Sequence, residues 1–578
     1  MAYMDQYRRW CEYSGMEADL VQELKAIENQ QEEIKACFLR PLTFGTGGIR
    51  GRMGAGPGRI NIYTIRKVSL GFARYLKAAN PLCPEMSVCI AYDTRRNSRR
   101  FAMETAGVLA CEGIRSWLYR QPAPTPMLSY AVRAMGSNAG VVITASHNPP
   151  SDNGYKAYGS DGSQITDQTA AAVTAQISAV NDELGIPVME ITEAEAKGLV
   201  QWITPAVEED YLNKVCGISL REEGRRKDIL PLRIVYTPLH GTGVCYGPEI
   251  LKRIGVQHIF TVPDQMIMDP DCPTVDYPNP ENWDVFHLAV QIGQREEADL
   301  LLATDLDGDR LGVAVRNRDG SYTLLTGNQL GCLLLDYILS QRSGKESIPE
   351  NGMVVQTIVT SGLGKAIASG YGVETVETLT GFKYIGEAIK ERADTQKNAF
   401  LFGYEESGGF LAADFVRDKD AFQAILLTVE AAAYYRSQGC TFLDVLDGLY
   451  ARYGYFLEEQ IKVDFSRSDN DSAEKMMHSL RRDGLKMLGD SPVVVLYDYL
   501  HHIEKHFFEG TVHQIVLPSS NVLKYVAQDG SWVCIRPSGT EPKIKIYLAV
   551  VGTGPEDALK RIMKLRDDVE KRISKVTK

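Results

Sequence analysis

The 578-residue sequence contains no run of about 20 apolar residues, which argues against a membrane-spanning helix. It also lacks a Cys-x-x-Cys pair, and its 11 cysteines are scattered from Cys11 to Cys534. Such a distribution argues against a disulfide framework and a cysteine-rich zinc site, and it favours reduced thiols. Residues 1–40 have no apolar signal core and read as a charged amphipathic helix. We therefore expect a cytoplasmic protein with no membrane partner.

The chain also lacks an excess of positive charge, since 63 Lys and Arg face 74 Asp and Glu and the formal net charge is -11. Bulk charge therefore disfavours nucleic acid as a partner, and an anionic substrate would need basic residues that converge locally. The composition is 44% hydrophobic and 24% charged, as in ordinary globular proteins. The length predicts roughly four domains.

Three segments repeat a strand, a polar turn, a helix and a second strand: residues 87–119, 232–262 and 352–378. In each, a glycine stands where the helix should end, at Gly113, Gly255 and Gly372. This order is typical of parallel βαβ units. We predict three similar α/β domains, at 1–205, 206–325 and 326–450. The strand-loop-strand pattern and charged final helix of residues 451–578 predict a smaller α+β domain.

An acidic loop follows an apolar strand in "ADLLLATDLDGDRLGVAV" and holds Asp305, Asp307 and Asp309. Carboxylates that alternate along an extended loop can converge, and hard oxygen ligands favour Mg²⁺ or Ca²⁺. An EF-hand is excluded because its glycine and glutamate positions hold Arg310 and Arg316. Three interpretations stay open: a phosphatase with Asp305 as nucleophile, a Mg²⁺ site open to a phosphate that Arg310 also binds, and a solvated acidic turn.

A second strand runs into the loop "TASHNPPSDNGYKAY", residues 144–158, which contains Ser146 and His147 side by side. Open α/β sheets place their sites at the carboxyl ends of strands, so Ser146 is a candidate nucleophile that could carry phosphate. The alternative is a purely structural polar turn, in which His147 forms hydrogen bonds with backbone groups. Lys156 could stabilise charge, or shuttle a proton if burial lowers its pKa, or it could be a surface lysine.

Together, the serine loop and "DLDGDR" resemble the α-D-phosphohexomutase superfamily, which includes phosphoglucomutases and phosphomannomutases. The resemblance covers essentially the whole chain. It implies four domains around a central cleft, with the first three alike. It also implies a phosphorylated Ser146, and a Mg²⁺ ion bound by Ser146, Asp305, Asp307 and Asp309.

The resemblance extends to other loops. It implies that Glu405 and Ser407 in "GYEESGG" bind the 3- and 4-hydroxyls of a sugar, and that Arg50 lies beside the phosphoserine. Further residues would face the ligand or hold the phosphate that is not transferred: Lys383, Arg417 and Lys419 for the ligand, and Arg536, Ser538, Gly539 and Thr540 for the phosphate.

The implied enzyme is an isomerase of carbohydrate metabolism, formally an intramolecular phosphotransferase. It would interconvert glucose 1-phosphate and glucose 6-phosphate through glucose 1,6-bisphosphate, which is both intermediate and activator. Lys156 is the candidate general base, His147 could orient Ser146, and Arg50 and Arg310 would stabilise charge. The partners would be small sugar phosphates, and the enzyme a monomer or homodimer.

The same residues are also compatible with other functions. A phosphomannomutase, a phosphopentomutase or a glucose 1,6-bisphosphate synthase would share the mechanism. A phosphate-monoester hydrolase that uses Asp305, or a sugar-phosphate sensor without catalysis, would belong to other classes.

Overall fold

A computed structural model describes residues 2–45, 48–221, 230–464, 471–537 and 543–576. The chain forms two compact units. Unit 1 comprises Met1–Leu330 and Phe382–Tyr434, and unit 2 comprises Gly331–Gly381 and Tyr435–Lys578. In the part of the chain that is described, every helix is too short or too polar to cross a membrane.

The elements of residues 2–221 are α1 Ala2–Glu12, α2 Ala18–Ala26, α3 Gln31–Phe38, β1 Gly48–Arg52, α4 Ile62–Ala79, β2 Ser87–Tyr92, α5 Ser98–Cys111, β3 Arg115–Leu118, α6 Thr125–Ala134, β4 Ala139–Ile143, β5 Asp152–Gly159, α7 Asp167–Ser178, α8 Ile191–Ala196, β6 Val200–Trp202 and α9 Pro205–Gly217. Those of residues 230–324 are β7 Leu230–Thr237, α10 Gly243–Arg253, β8 Val256–Thr261, α11 His287–Arg295, β9 Leu300–Thr304, β10 Leu311–Arg316 and β11 Tyr322–Leu324.

The elements of residues 327–453 are α12 Gly327–Ser343, β12 Gly352–Thr357, α13 Gly362–Gly370, β13 Glu374–Thr378, α14 Phe382–Arg392, β14 Ala399–Glu405, β15 Gly409–Leu411, α15 Ala421–Ser437 and α16 Phe442–Tyr453. The remaining ones are β16 Tyr455–Asp464, α17 Asp471–Asp483, β17 Met487–Leu488, β18 Ser491–Asp498, β19 Ile503–His506, β20 Val512–Gln514, β21 Leu523–Ala527, β22 Trp532–Pro537, β23 Lys543–Gly552 and α18 Pro555–Val576.

All three predicted βαβ units are confirmed. They are β2–α5–β3, β7–α10–β8 and β12–α13–β13, and the two strands of each pair in parallel. The glycine after each helix is left-handed, with φ of 73° at Gly113, 87° at Gly255 and 72° at Gly372. A residue with a Cβ is strained in that conformation, which explains the repeated glycine.

Unit 1 contains two mixed sheets. The first has the order β1-β5-β4-β2-β3-β6, and the second has the order β11-β10-β9-β7-β8. The strands β4 and β9 are buried along their whole length. Each leads from the core into one of the loops singled out in the sequence, and strands β14 and β15 pair in antiparallel.

The prediction of one amphipathic helix over residues 1–40 is wrong, because the segment forms α1, α2 and α3. Turns separate the helices, the first of them at Ser14 and Gly15, and the apolar faces fold back onto the core of the first sheet. Trp10 is fully buried there, and its ring meets those of Phe38 and Tyr63 edge to face at 5.7 Å and 5.4 Å.

Unit 2 contains the parallel pair β12–β13 and a largely antiparallel sheet of residues 455–552. The helices α17 and α18 pack on this sheet through apolar side chains such as Met476 and Ile562. The predicted α+β character of the C-terminal region is confirmed, including the two strands β22 and β23 and the final helix.

Candidate active site

The serine loop and the acidic loop meet in unit 1. Ser146 lies three residues beyond β4, and Asp305 directly follows β9. The Ser146 hydroxyl donates a hydrogen bond of 2.9 Å to Asp305 Oδ2, and both residues are buried. Two loops more than 150 residues apart in sequence therefore form one polar site at strand ends.

The backbone of Ser146 is unusual, because its φ is 53° and it is not a glycine. Its N–H donates to Thr144 Oγ1 at 2.8 Å. The His147 Nδ1 atom lies 3.3 Å from the serine hydroxyl, and an orienting role for that ring stays a prediction. A strained conformation persists only where its surroundings hold it, and it presents the hydroxyl of Ser146 to the acids.

Arg95 supplies much of that support, although the sequence did not lead us to it. One of its terminal nitrogens donates to the carbonyls of Ser146 and Asn148 at 2.6 Å and 2.5 Å, and the other donates to those of Pro149 and Asp152 at 2.7 Å and 3.0 Å. The available signal was the position of "DTR" at the end of the buried strand β2. Five guanidinium protons suit such a cluster of carbonyls.

The three aspartates form a group that fits a divalent cation. One carboxylate oxygen from each of Asp305, Asp307 and Asp309 lies within 4.8 Å of the others. The Oδ1 atoms of Asp307 and Asp309 are buried and find no hydrogen-bond partner among the described residues. Buried carboxylate oxygens without a donor indicate a missing positive group, and such hard ligands suit Mg²⁺ or Ca²⁺.

Two lysines also contact the aspartates. Lys156 Nζ, from β5, lies 2.6 Å from Asp307 Oδ2 and 3.1 Å from Asp309 Oδ2. Lys419 Nζ lies 3.2 Å from the same oxygen of Asp309. Both lysines are buried, so these ion pairs are shielded from water.

The charges of this group shift the pKa values in opposite directions. Burial, and then the charges of Asp307 and Asp309, raise the pKa of Asp305 well above its ordinary value. Burial also disfavours charge on Asp309, but Lys156, Lys419 and Arg310 hold its pKa below the ordinary value. A cation bound between these carboxylates would favour the charged form of Asp305.

The condition under which Lys156 could serve as a base is not met. Burial alone would lower the pKa of Lys156, but the carboxylates of Asp307 and Asp309 outweigh burial and raise it. Lys156 is therefore an ammonium in this arrangement, able to donate a proton and to stabilise negative charge.

Arg310 connects the acidic loop with the loop at Glu405. Its Nη1 atom donates to the Ser407 carbonyl at 3.0 Å and to Glu281 at 3.3 Å. Within the same loop, the Ser407 hydroxyl donates to Glu405 Oε1 at 2.9 Å. Arg310, which follows the three aspartates in sequence, therefore also holds the loop that contains the predicted sugar-binding residues Glu405 and Ser407.

Arg50 lies beside the strand that follows the serine loop. It is exposed on β1, opposite Gly154 of β5, and its positive charge acts on Lys156. A role beside a phosphoserine stays a prediction for this residue.

Two predicted ligand-facing residues have acidic partners away from the aspartate cluster. Lys383 Nζ lies 2.5 Å from Asp167, and Arg417 Nη2 lies 2.6 Å from Asp394. Arg536 lies on β22 in unit 2. The predictions for Ser538, Gly539 and Thr540 fall outside the described residues.

Four family models match successive parts of the chain. They describe the phosphoglucomutase/phosphomannomutase alpha/beta/alpha domains I, II and III, at residues 41–183, 209–320 and 326–453, and the C-terminal domain, at residues 500–568. Together these ranges cover most of the sequence.

Curated relatives match over nearly their whole length. A phosphoglucomutase of Staphylococcus haemolyticus is 37% identical over 519 residues, which are 89% of this chain and 91% of the relative. One of Staphylococcus aureus is 36% identical over 547 residues, which are 93% and 95%. Among solved structures, a phosphoglucomutase/phosphomannomutase family protein from Burkholderia thailandensis matches with a TM-score of 0.66 and 18% identity, over 92% of this chain and 97% of that one. This last match supports the fold.

Proposed function

The chain belongs to the phosphoglucomutase/phosphomannomutase family, and on that premise we propose that it interconverts glucose 1-phosphate and glucose 6-phosphate. The curated relatives with 36–37% identity carry the name phosphoglucomutase, which supports this choice of sugar. The enzyme is then a phosphohexomutase, an isomerase that moves a phosphoryl group within one sugar.

The observation that carries the proposal is the hydrogen bond of 2.9 Å between the hydroxyl of Ser146 and Asp305. It places a strained, buried serine against a cluster of aspartates. A serine hydroxyl becomes a useful phosphoryl acceptor only when neighbouring groups activate it. A bound Mg²⁺, held by Ser146, Asp305, Asp307 and Asp309, would neutralise charge that develops on the phosphoryl oxygens.

The residues of the site then have the following roles. Ser146 carries the phosphate between turnovers and gives it to a free hydroxyl of the sugar monophosphate. The product of this step, glucose 1,6-bisphosphate, returns its other phosphate to Ser146. Lys156 and Arg310 stabilise the spreading negative charge. Lys156 donates a proton to the Ser146 oxygen as its bond to phosphorus breaks, and the resulting amine takes up the proton that the attacking sugar hydroxyl releases.

Recognition of the sugar must work in both orientations, because the bisphosphate presents each end in turn. Glu405 and Ser407 can do this, since a carboxylate and a hydroxyl bind neighbouring sugar hydroxyls with little dependence on which end is phosphorylated. Arg536 and residues 538–540 are the proposed holders of the phosphate that is not transferred.

The test compares Ser146→Ala with Ser151→Ala, an exposed serine of the same loop. In a coupled assay with added glucose 1,6-bisphosphate, Ser146→Ala should abolish turnover, and Ser151→Ala should retain it. Intact mass should show one phosphate group on the wild type that phosphatase removes and that Ser146→Ala lacks. Turnover by Ser146→Ala would refute the mechanism, and net release of phosphate by that variant would favour a hydrolase that uses Asp305.

The same assay with mannose, ribose and glucosamine phosphates tests the choice of sugar. A clear preference for one of these would replace glucose and leave the mechanism standing. Calorimetric titration with Mg²⁺ tests the metal separately, because Asp307→Asn should weaken binding, while Asp319→Asn, an exposed aspartate of a turn, should not.

A further inference from the structure

A cavity opens in unit 1 at the carboxyl ends of β2 and β3. Its volume is about 350 Å³, and its lining includes Tyr92, Thr94, Arg95, Arg99 and Arg120. None of these residues is among the predicted catalytic or sugar-binding residues. The volume suits a small metabolite, and the carboxyl ends of parallel strands are a common location for ligands.

Two arginines at this cavity have no carboxylate partner in the part of the chain that the structure describes. Four arginines lie between residues 95 and 100, and three of them form ion pairs: Arg95 with Asp93, Arg96 with Asp271, and Arg100 with Glu17 and Asp19. Within the described ranges, Arg99 forms no ion pair, and the same is true of Arg120. The Arg120 guanidinium lies over the Trp202 ring, 4.7 Å from its centre, which orients the group without neutralising its charge.

Thr94 adds a buried hydroxyl. The residue is only 8% exposed, and within the described ranges its Oγ1 atom has no hydrogen-bond partner. A buried hydroxyl without a partner is unfavourable, so its position in the wall of a cavity points to a ligand that satisfies it.

One acidic residue, Asp93, also lines the cavity. Its Oδ1 accepts hydrogen bonds from the Arg95 N–H at 3.0 Å and from the Ser98 hydroxyl at 2.6 Å. Its Oδ2 lies 3.3 Å from Arg95 Nε. The charge of Asp93 is thus compensated by Arg95, and the uncompensated charge at the cavity is the positive charge of Arg99 and Arg120.

We propose that this cavity is a second phosphate-binding site, which takes the dianionic phosphate group of a small metabolite or the free phosphate ion. Arg99 and Arg120 provide the opposing charge, and the Thr94 hydroxyl donates a hydrogen bond. Arg95 forms part of the wall and also holds the carbonyl of Ser146, so a bound ligand lies against the side chain that fixes the serine loop.

The test measures binding of inorganic phosphate by calorimetry to three proteins: wild type, the double variant R99Q/R120Q and the control R96Q/R100Q. The two variants lose equal charge from the same region, but Arg96 and Arg100 do not line the cavity. R99Q/R120Q should lose one phosphate site per chain, or bind there about 100-fold more weakly, because each charge-assisted hydrogen bond contributes roughly tenfold. The control should keep the stoichiometry of the wild type.

Equal stoichiometry and affinity in all three proteins would overturn the proposal. A second measurement locates the ion: crystals soaked in arsenate, a phosphate analogue with an anomalous signal, should show a peak between Arg99 and Arg120. Absence of that peak, in crystals that show arsenate elsewhere, would also overturn it. Titration with glucose 6-phosphate, and with glucose as the neutral control, then tells whether a sugar phosphate or only the free ion occupies the site.

Discussion

Removal of the positive charge of Lys156 tests the electrostatics of the aspartate group most directly. The change Lys156→Met keeps a side chain of similar length but leaves Asp307 and Asp309 with one cation fewer. The broken pair is buried, with side-chain exposures of 5% for Lys156 and 0% for Asp307. Loss of one partner of such a pair costs about 3–5 kcal/mol, since the remaining charge stays buried without compensation.

The chain offers a matched control in Lys197→Met. Lys197 lies 2.6 Å from Glu193, the same distance as between Lys156 and Asp307, but its side chain is 53% exposed and that of Glu193 is 54% exposed. Water already screens this pair, so the expected loss is roughly 0.3–0.5 kcal/mol. Burial is therefore the main difference between the two experiments.

The assay is urea unfolding in the presence of a chelator, with the free energy of unfolding taken from the transition. Lys156→Met should lose several times more stability than Lys197→Met. Added Mg²⁺ should restore more stability to Lys156→Met than to the wild type, because the ion replaces the missing positive charge. Equal losses in the two variants would refute the buried ion pair and the electrostatic argument built on it.

Three further results are expected. Gly409→Ala should reduce mutase activity at least tenfold, because a Cβ there would lie 2.2 Å from Cδ of Lys419. The control Gly448→Ala, where nothing lies within 4 Å of the added Cβ, should leave activity intact. Equal activities of the two variants would contradict this steric argument. Burial raises the pKa of Asp420 to about 6, so the folded state retains a proton that the unfolded state releases near pH 4. Stability should therefore fall by about 3 kcal/mol as pH rises from 4 through 6, and urea titrations of Asp420→Asn should lack this decrease. Arg95→Met should lower kcat by about 100-fold with a small change in KM, because the serine hydroxyl would be misplaced while substrate binding stays intact. An unchanged kcat would show that the serine loop does not need Arg95.

Much of the fold was accessible from the sequence. Apolar strands with polar turns and a glycine after each helix predicted the three βαβ units, because these are local requirements of backbone geometry. The division of the chain into two compact units was not predicted, and neither were the three separate N-terminal helices. Both depend on which apolar faces find each other, which a local pattern does not specify.

Some residues of the candidate active site could also be predicted from the sequence, and others could not. Ser146 and the three aspartates could be singled out, because both loops follow apolar strands and together resemble the motifs of one family. Arg95 was missed, since its position after strand β2 is a weak signal in a stretch that holds four arginines. Its role appears only when four carbonyls of a distant loop surround it.

The charge state of Lys156 is the clearest case of a property that tertiary structure decided. By itself the sequence determined that a lysine follows the serine, and burial alone would lower its pKa. Folding places Asp307 and Asp309 within 3.1 Å of its amino group, and their attraction exceeds the cost of desolvation. Local sequence sets backbone conformation, whereas a pKa depends on every charge that the fold brings near, and those charges come from other parts of the chain.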